Sequence, residues 1–126
     1  MKYDLLYLAA GALLGAFLRY KVTGGNLFVG SLPISVLIVN IIGSLILGAS
    51  STAVSGLGLD ERYTLLIGIG FCGSLTTMSS FAFETVNLIS VGEVATAGLD
   101  IVLNVCASLG AIILGRAVMT LLLGLG

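Results

Sequence analysis

Four long apolar stretches, separated by short polar or glycine-rich segments, occupy most of the 126 residues. They lie at about residues 3–22, 33–54, 63–90 and 95–123. A membrane-spanning helix needs about 20 mostly apolar residues, so each stretch is long enough to cross a bilayer once. The pattern predicts an all-α membrane protein in which residues 1–126 form a single transmembrane domain of four helices.

The third stretch contains a polar, glycine-punctuated segment, GFCGSLTTMSSFAFE, at residues 70–84. Glycine and adjacent threonines weaken a helix, and the hydroxyl groups offer the backbone alternative hydrogen bonds. Irregular backbone is tolerated at membrane depth only where protein or a water-filled cavity covers it. We therefore expect a broken third helix that marks an ion or substrate site, where N–H groups at one end suit an anion and carbonyl groups at the other suit a small cation.

The second and fourth helices each carry an asparagine in an otherwise apolar span. Asn40 is followed one turn later by Ser44, and Asn104 is followed one turn later by Ser108. Such asparagines commonly join helices by hydrogen bonds, but their combination with hydroxyl groups also fits a pore. We expect Asp100 to lie near the start of the fourth helix, where an acid is tolerated.

The first helix and the connection after it carry further signals. Gly11 and Gly15 form a GxxxG pattern, which is typical of close helix contact. Arg19 and Lys21 close the first span, where long basic side chains usually reach the lipid headgroups. Pro33 is expected in the first turn of the second helix, because its missing N–H costs nothing there.

Composition narrows the class of protein. The chain has 58% hydrophobic residues, 9% charged residues and a mean hydropathy of +1.21, which exclude an ordinary soluble domain. A net charge of −1 without a basic patch argues against nucleic acid as a partner. There is no histidine, no GxSxG motif and no pair of catalytic acids, so an enzyme is not expected. We expect a multi-pass protein of the cell (inner or plasma) membrane whose surroundings are the lipid bilayer.

The polar side chains of the second, third and fourth helices suit a small hydrated anion. Serine, threonine and asparagine donate hydrogen bonds that replace water, and the rim of a phenylalanine ring carries partial positive charge. A full positive charge in the path would bind the ion too tightly for release. Coupled transport usually needs a titratable carrier group in the membrane, and Glu84 is nearly the only candidate. A channel is therefore favoured.

Three segments together resemble a known family: GALLGAFLRY at residues 11–20, NIIGS at residues 40–44 with Gly48, and GFCGSLTTMSSF at residues 70–81. They closely resemble the Fluc/CrcB fluoride-channel family, whose third helix carries a motif like GxxGGxTTFSTF. The resemblance covers all four helices in order. It implies a fluoride-selective channel that lets cytoplasmic fluoride leave the cell passively and so confers fluoride resistance.

The resemblance also implies an antiparallel, dual-topology homodimer with two fluoride pores and a structural sodium ion at its centre. The backbone carbonyls of Gly73 and Thr76 match the sodium-binding positions. Arg19 and Glu84 match an arginine and a glutamate that are common in the family, and they are expected to support the site. The residues that match or continue the fluoride path are Asn40, Thr77, Met78, Ser79, Ser80, Phe81, Asn104 and Ser108.

Three positions depart from the family's third-helix motif. Met78 stands in place of the first phenylalanine, Ser74 in place of a glycine and Ser80 in place of a threonine. The two serines are mild changes. Met78 removes one of the two ring edges expected to flank fluoride, and a thioether fills similar space without a ring's charge distribution. Either the rate or the selectivity of permeation differs from that of the family, or the fluoride path depends less on the first phenylalanine ring than the family motif implies.

The positive charges give little preference for one orientation in the membrane, with Lys2 and Arg62 toward one side and Arg19 and Lys21 toward the other. This balance agrees with an antiparallel pair. Two alternatives remain open. A small dual-topology four-helix multidrug exporter would carry a proton-exchanging glutamate in its first helix, and this helix has none. A non-conducting membrane assembly subunit would use its polar residues only to join helices.

Overall fold

The structure, a computed structural model, describes residues 3–125. Its helices that are long and apolar enough to span a membrane are Asp4–Thr23, Ser35–Leu57, Thr64–Ser90 and Val94–Leu123. The prediction of an all-α membrane protein with four spans is confirmed. Lys2, which contributed to the predicted charge balance, lies outside the described residues.

A small hairpin joins the first two spans, and the third span consists of three consecutive helical pieces. The elements follow in the order α1 (Asp4–Thr23), β1 (Phe28–Val29), β2 (Leu32–Pro33), α2 (Ser35–Leu57), a π-helix (Thr64–Cys72), α3 (Gly73–Leu75), α4 (Met78–Ser90) and α5 (Val94–Leu123).

Pro33 does not lie in the first turn of α2, and that prediction is wrong. It pairs with Phe28 across the antiparallel hairpin, whose turn contains Gly30 with a positive φ of 62°. The next residue, Ile34, donates its N–H to the carbonyl of Leu27 at 2.9 Å. This bond closes the hairpin before the helix begins, so the proline ends a strand.

The third span is broken, as predicted, and its first half also departs from α-helical hydrogen bonding. Thr64–Cys72 is a π-helix, and the N–H of Gly73 donates to the carbonyl of Gly68, five residues back. π-helical turns are rare and concentrate at functional sites. After α3 the backbone is extended at Thr76 and Thr77, with φ/ψ of −76°/153° and −151°/116°. The interruption falls at the adjacent threonines that were expected to weaken the helix.

α1 packs in parallel with the first half of the third span through its two glycines. A Cβ atom at Gly11 would collide with the carbonyl oxygen of Leu66, and one at Gly15 would collide with that of Phe71. Two backbones approach this closely only where a residue lacks a side chain. The GxxxG pattern therefore makes a helix contact within the bundle, and it brings Arg19 next to the break.

α2 and α5 form the second parallel pair, again through glycines. A Cβ atom at Gly48 would collide with the carbonyl oxygen of Ile112, and one at Gly115 would collide with that of Leu45. These contacts fix the axial position of α5 against α2. As a result the two asparagines predicted for the pore lie at the same level.

The outer surface of the bundle is apolar. Leu13, Phe17, Ile113 and Leu121 are 61–81% exposed. In water such a surface would be unstable, because burial of apolar side chains is the main force that stabilises folding. Lipid tails or a second subunit must therefore cover it.

Candidate functional site

Side chains of the same chain stabilise the break in the third span. The N–H group of Thr77, which would bond the Gly73 carbonyl in a continuous helix, donates to Asn40 Oδ1 at 2.8 Å. Thr77 Oγ1 accepts the N–H of Ser80 at 3.1 Å and caps α4. Both bonds replace helical ones, so the break is a defined conformation with partners for its N–H groups.

A line of hydrogen-bonded side chains runs from the break into the bundle. Asn40 Nδ2 donates to Asn104 Oδ1 at 3.0 Å, and Asn104 Nδ2 donates to Asp100 Oδ1 at 2.8 Å. Thr85 Oγ1 lies 2.8 Å from Asp100 Oδ2 and 2.9 Å from the carbonyl oxygen of Phe81, and its one proton serves one of them at a time. We refer to the connected residues as the polar line: Thr77, Asn40, Asn104, Asp100 and Thr85.

Asp100 differs from the expectation of an acid tolerated near a helix start. It lies in the second turn of α5 and has no exposed surface. Because a buried carboxylate without partners is costly, its bonds to Asn104 and Thr85 are what make this position stable. This role of Asp100 was not predicted from the sequence. The signal was the i, i+4 spacing of Asp100, Asn104 and Ser108, which places all three on one face of α5.

A cavity of about 400 Å³ lies beside the polar line, between α2, the break and α5. Ser79 and Ser80, both predicted for the fluoride path, do not line it. Their hydroxyl groups lie 3.2 and 3.1 Å from Thr77 Oγ1, at the start of α4. The other six residues predicted for the path all line the cavity: Asn40, Thr77, Met78, Phe81, Asn104 and Ser108.

The cavity presents hydrogen-bond donors and no charge. The hydroxyl groups of Ser44 and Ser108 line it and have no hydrogen-bond partner among residues 3–125, so both are available to a bound ion. Asn40 Nδ2 makes one bond of 3.0 Å and a longer one of 3.4 Å to the Thr77 carbonyl, so its second N–H is weakly held. No acidic or basic residue of the described chain lines the cavity. Neutral donors suit an anion that must bind and then leave.

The two positions of the aromatic motif have different surroundings. Phe81 is 7% exposed and is part of the cavity wall inside the bundle. Met78, which replaces the other ring, is 74% exposed. Within one chain, only Phe81 is therefore held in place by packing.

Arg19 and Glu84 lie near the break but do not line the cavity. Arg19 Nη1 donates to the Thr76 carbonyl at 3.4 Å, so this basic group turns inward to the break, whereas most such residues reach for the headgroups. Glu84 is half-buried, and its buried Oε2 has no hydrogen-bond partner among the described residues.

Two carbonyl oxygens at the break are candidates for binding a cation. The Gly73 carbonyl has lost its helical donor, the Thr77 N–H, to Asn40. The Thr76 carbonyl belongs to extended backbone and has a second lone pair besides the one that Arg19 uses. Carbonyl oxygens are ligands that hard cations prefer. Within residues 3–125, no cluster of three or more His, Cys, Asp or Glu offers another metal site. The two oxygens are of the ligand type that a sodium ion would take.

Comparison with known proteins finds relatives of similar length. Residues 6–116 match the model of the family described as CrcB-like protein, Camphor Resistance (CrcB). A fluoride-specific ion channel FluC of Nitrosopumilus maritimus is 47% identical over 117 residues, with 93% of each chain covered. Proteins of the same name from Shewanella amazonensis and Methanococcus maripaludis are 36% and 38% identical, over 90% of this chain and 93% of each relative. The similarity reaches into all four spans.

Proposed function

The chain belongs to the CrcB-like family, and from that premise we infer that it is a fluoride-specific ion channel, a multi-pass protein of the cell membrane. It lets fluoride leave the cytoplasm passively, down its gradient, and so confers fluoride resistance. Relatives named fluoride-specific ion channel FluC, 36–47% identical over nearly the whole chain, support this function. Permeation breaks no covalent bond, so the site needs no catalytic residue.

The observation that carries this function is the uncharged, donor-lined cavity at the break. Fluoride is small and strongly hydrated, so it crosses a bilayer only where protein donors replace its water. Ser44, Ser108 and the weakly held N–H of Asn40 supply such donors. Phe81 lines the same cavity, and the edge of an aromatic ring carries partial positive charge. Because no full positive charge holds the ion, it can also leave.

We propose that two copies of the chain pair as an antiparallel, dual-topology homodimer with two pores. Among the described residues, Arg62 and Arg116 lie toward one end of the bundle, and Arg19 and Lys21 lie toward the other. This distribution gives the chain little preference for one orientation. A second copy would also cover the exposed side chain of Met78, which a single chain leaves without packing.

A sodium ion at the centre of the pair is part of this proposal. The carbonyl oxygens of Gly73 and Thr76 would hold it. One chain offers two such oxygens, fewer than a hard cation normally takes, so both copies would have to contribute. The ion would supply the positive charge that offsets the carbonyl dipoles where the two breaks meet, and thereby hold the subunits together.

Two alternatives from other classes make different predictions. A multidrug exporter needs a titratable acid inside its first span, and the one acid of α1 is Asp4, in its first turn. An assembly subunit would use the polar line only to join helices. Loss of Asn40 would then dissociate or unfold the protein, whereas loss of a pore residue stops the ion and leaves the assembly intact.

Fluoride release from vesicles tests the function directly. Purified protein is reconstituted in liposomes loaded with potassium fluoride, a potassium ionophore is added, and an electrode follows external fluoride. We expect fast release of fluoride and none of chloride from chloride-loaded vesicles. Release of both ions would place the loss of discrimination near Met78. Release of neither from well-folded protein would contradict the channel.

Substitution of Asn40 separates a pore role from helix joining. Asn40→Asp removes the N–H donors and adds a negative charge at the cavity, so we expect fluoride release to be abolished while the protein elutes as a folded species. Asn26→Asp, the same change in the connection between α1 and β1, is the matched control and should release fluoride at the wild-type rate. A wild-type rate from Asn40→Asp would remove Asn40 from the pore.

A further inference from the structure

Asp100 has a defined place in the polar line although it does not touch the cavity. It is fully buried, and its two carboxylate oxygens face Asn104 and Thr85. The residue that does line the cavity is Asn104, one helical turn further along α5. Asp100 can therefore act on a permeating ion in two ways, through its contact with Asn104 or through space by its charge.

The two asparagines of the polar line can each be turned end for end, because an amide side chain has a donor end and an acceptor end of nearly equal size. The groups at the two ends of the line remove this freedom. At the break, the Thr77 N–H only donates, so it requires the oxygen of Asn40. In the bundle, Asp100 Oδ1 accepts from Asn104 Nδ2, which turns the oxygen of Asn104 toward Asn40 Nδ2.

We propose that Asp100 is a positioning residue for the pore, which fixes the orientation of Asn104 and thereby supplies the acceptor that engages one N–H of Asn40. The importance of this orientation for permeation rests on the proposed function. With Asn104 Oδ1 held toward α2, one N–H of Asn40 is engaged at 3.0 Å, and the other has only its long bond of 3.4 Å to the Thr77 carbonyl, which a bound ion can replace.

A purely structural role does not account for an acid at this position. In Asp100→Leu, Asn104 Nδ2 keeps its bond to the backbone carbonyl of residue 100, and Thr85 Oγ1 keeps its bond to the carbonyl of Phe81, so neither side chain is left without a partner. Packing between α4 and α5 would therefore be served at least as well by leucine. What leucine cannot supply is an acceptor facing Asn104. Asparagine can, with its oxygen toward Asn104 and its amide N–H groups toward Thr85 Oγ1.

The test compares Asp100→Leu with Asp100→Asn in the vesicle assay. We expect Asp100→Leu to fold and to release fluoride about tenfold more slowly, the order of effect of one lost hydrogen bond to a charged group. The effect is partial because Asn104 Nδ2 keeps its 3.2 Å bond to the backbone carbonyl of residue 100. Asp100→Asn should restore the rate. Asp60→Leu, the same change on the exposed connection before the third span, is the matched control and should leave the rate unchanged.

A second readout reports orientation without any ion flow. In protein labelled with ¹⁵N at asparagine, the side-chain amide signals of Asn40 and Asn104 should shift in Asp100→Leu and stay near their wild-type positions in Asp100→Asn. Asp100→Ala, which removes the same acceptor without added volume, replaces the leucine variant if the latter does not fold.

The outcomes separate this proposal from the proposed function. Slow release with shifted signals in Asp100→Leu, both restored in Asp100→Asn, supports positioning. Unchanged release and unchanged signals in Asp100→Leu overturn it. Equally slow release in Asp100→Leu and Asp100→Asn would assign the effect to the charge of Asp100 and would also overturn the positioning proposal. If wild-type vesicles release no fluoride, the channel function fails, and the amide signals still decide whether Asp100 orients the two asparagines.

Discussion

Single polar residues give the cavity at the break its hydrogen-bond donors. Several of them were identifiable from the sequence, because an asparagine in an apolar span needs a partner and the hydroxyls one turn away share its face. Asn40, Asn104 and Ser108 do line one cavity. The burial of Asp100 was not predicted, because a charge near a helix start is normally solvated and only its tertiary partners, Asn104 and Thr85, make burial tolerable.

Phe81 and Met78 should respond differently to truncation. Phe81 is held in the cavity wall, whereas Met78 projects from the bundle, so Phe81→Ala should slow fluoride release more than Met78→Ala. Truncation of a buried phenylalanine also costs about 3–5 kcal/mol of stability. Phe81→Leu separates the two effects, because it keeps most of the volume and removes the ring.

We expect Phe81→Leu to remain folded and to release fluoride about tenfold more slowly, a barrier increase of about 1.4 kcal/mol. Release rates from vesicles of matched protein content measure this, and size-exclusion chromatography controls for folding. Equal and negligible effects of Phe81→Leu and Met78→Ala would mean that the aromatic motif is structural in this protein.

The helices position these residues. The local amino-acid composition of each helix predicts only part of its backbone conformation. The break was predictable because the two threonines and the hydroxyls around them compete with helical hydrogen bonding. The π-helix was not, because Thr64–Cys72 has the composition of an ordinary apolar run, and the close approach of its backbone to Gly11 and Gly15 of α1 is a tertiary contact that local composition does not report. Pro33 was misplaced because a hairpin that closes through backbone bonds has no strong signal in its side chains.

The contact between α2 and α5 can be tested at its glycines. Gly48→Ala would place a methyl group against the Ile112 carbonyl, so we expect a loss of about 1–3 kcal/mol of stability from overpacking. A lower midpoint temperature for loss of the folded peak in detergent would measure it. Gly110→Ala is the matched control, because a Cβ atom there has no neighbour within 4 Å. Equal midpoints for the two variants would contradict the close contact.

At the scale of the whole assembly, we propose that two subunits pair in opposite membrane orientations. The described basic residues are evenly divided between the two ends of the bundle, so a few added lysines should fix the orientation of a chain. Leu59→Lys with Glu61→Lys adds positive charge at one end, and Val29→Lys with Val91→Lys adds it at the other; all four side chains are exposed.

Each of these two double variants, whose orientation is locked by the added lysines, should be inactive when produced alone, because all copies then insert in the same direction. Production of both in one cell should restore fluoride release, measured in vesicles made from the purified mixture. Full activity of either locked variant alone would show that the working assembly does not need opposite orientations.

The polar line also has a consequence for the order of events during synthesis. A chain leaves the ribosome from its N-terminus, so Asn40 is available first, Thr77 follows, and Asp100 and Asn104 arrive last. The bond between Asn40 and the break can form while the ribosome is still extending the chain. The bonds of Asn104 to Asn40 and to Asp100 can form only when α5 has entered the bilayer. The polar line of a nascent subunit is therefore complete only at the last step of its insertion.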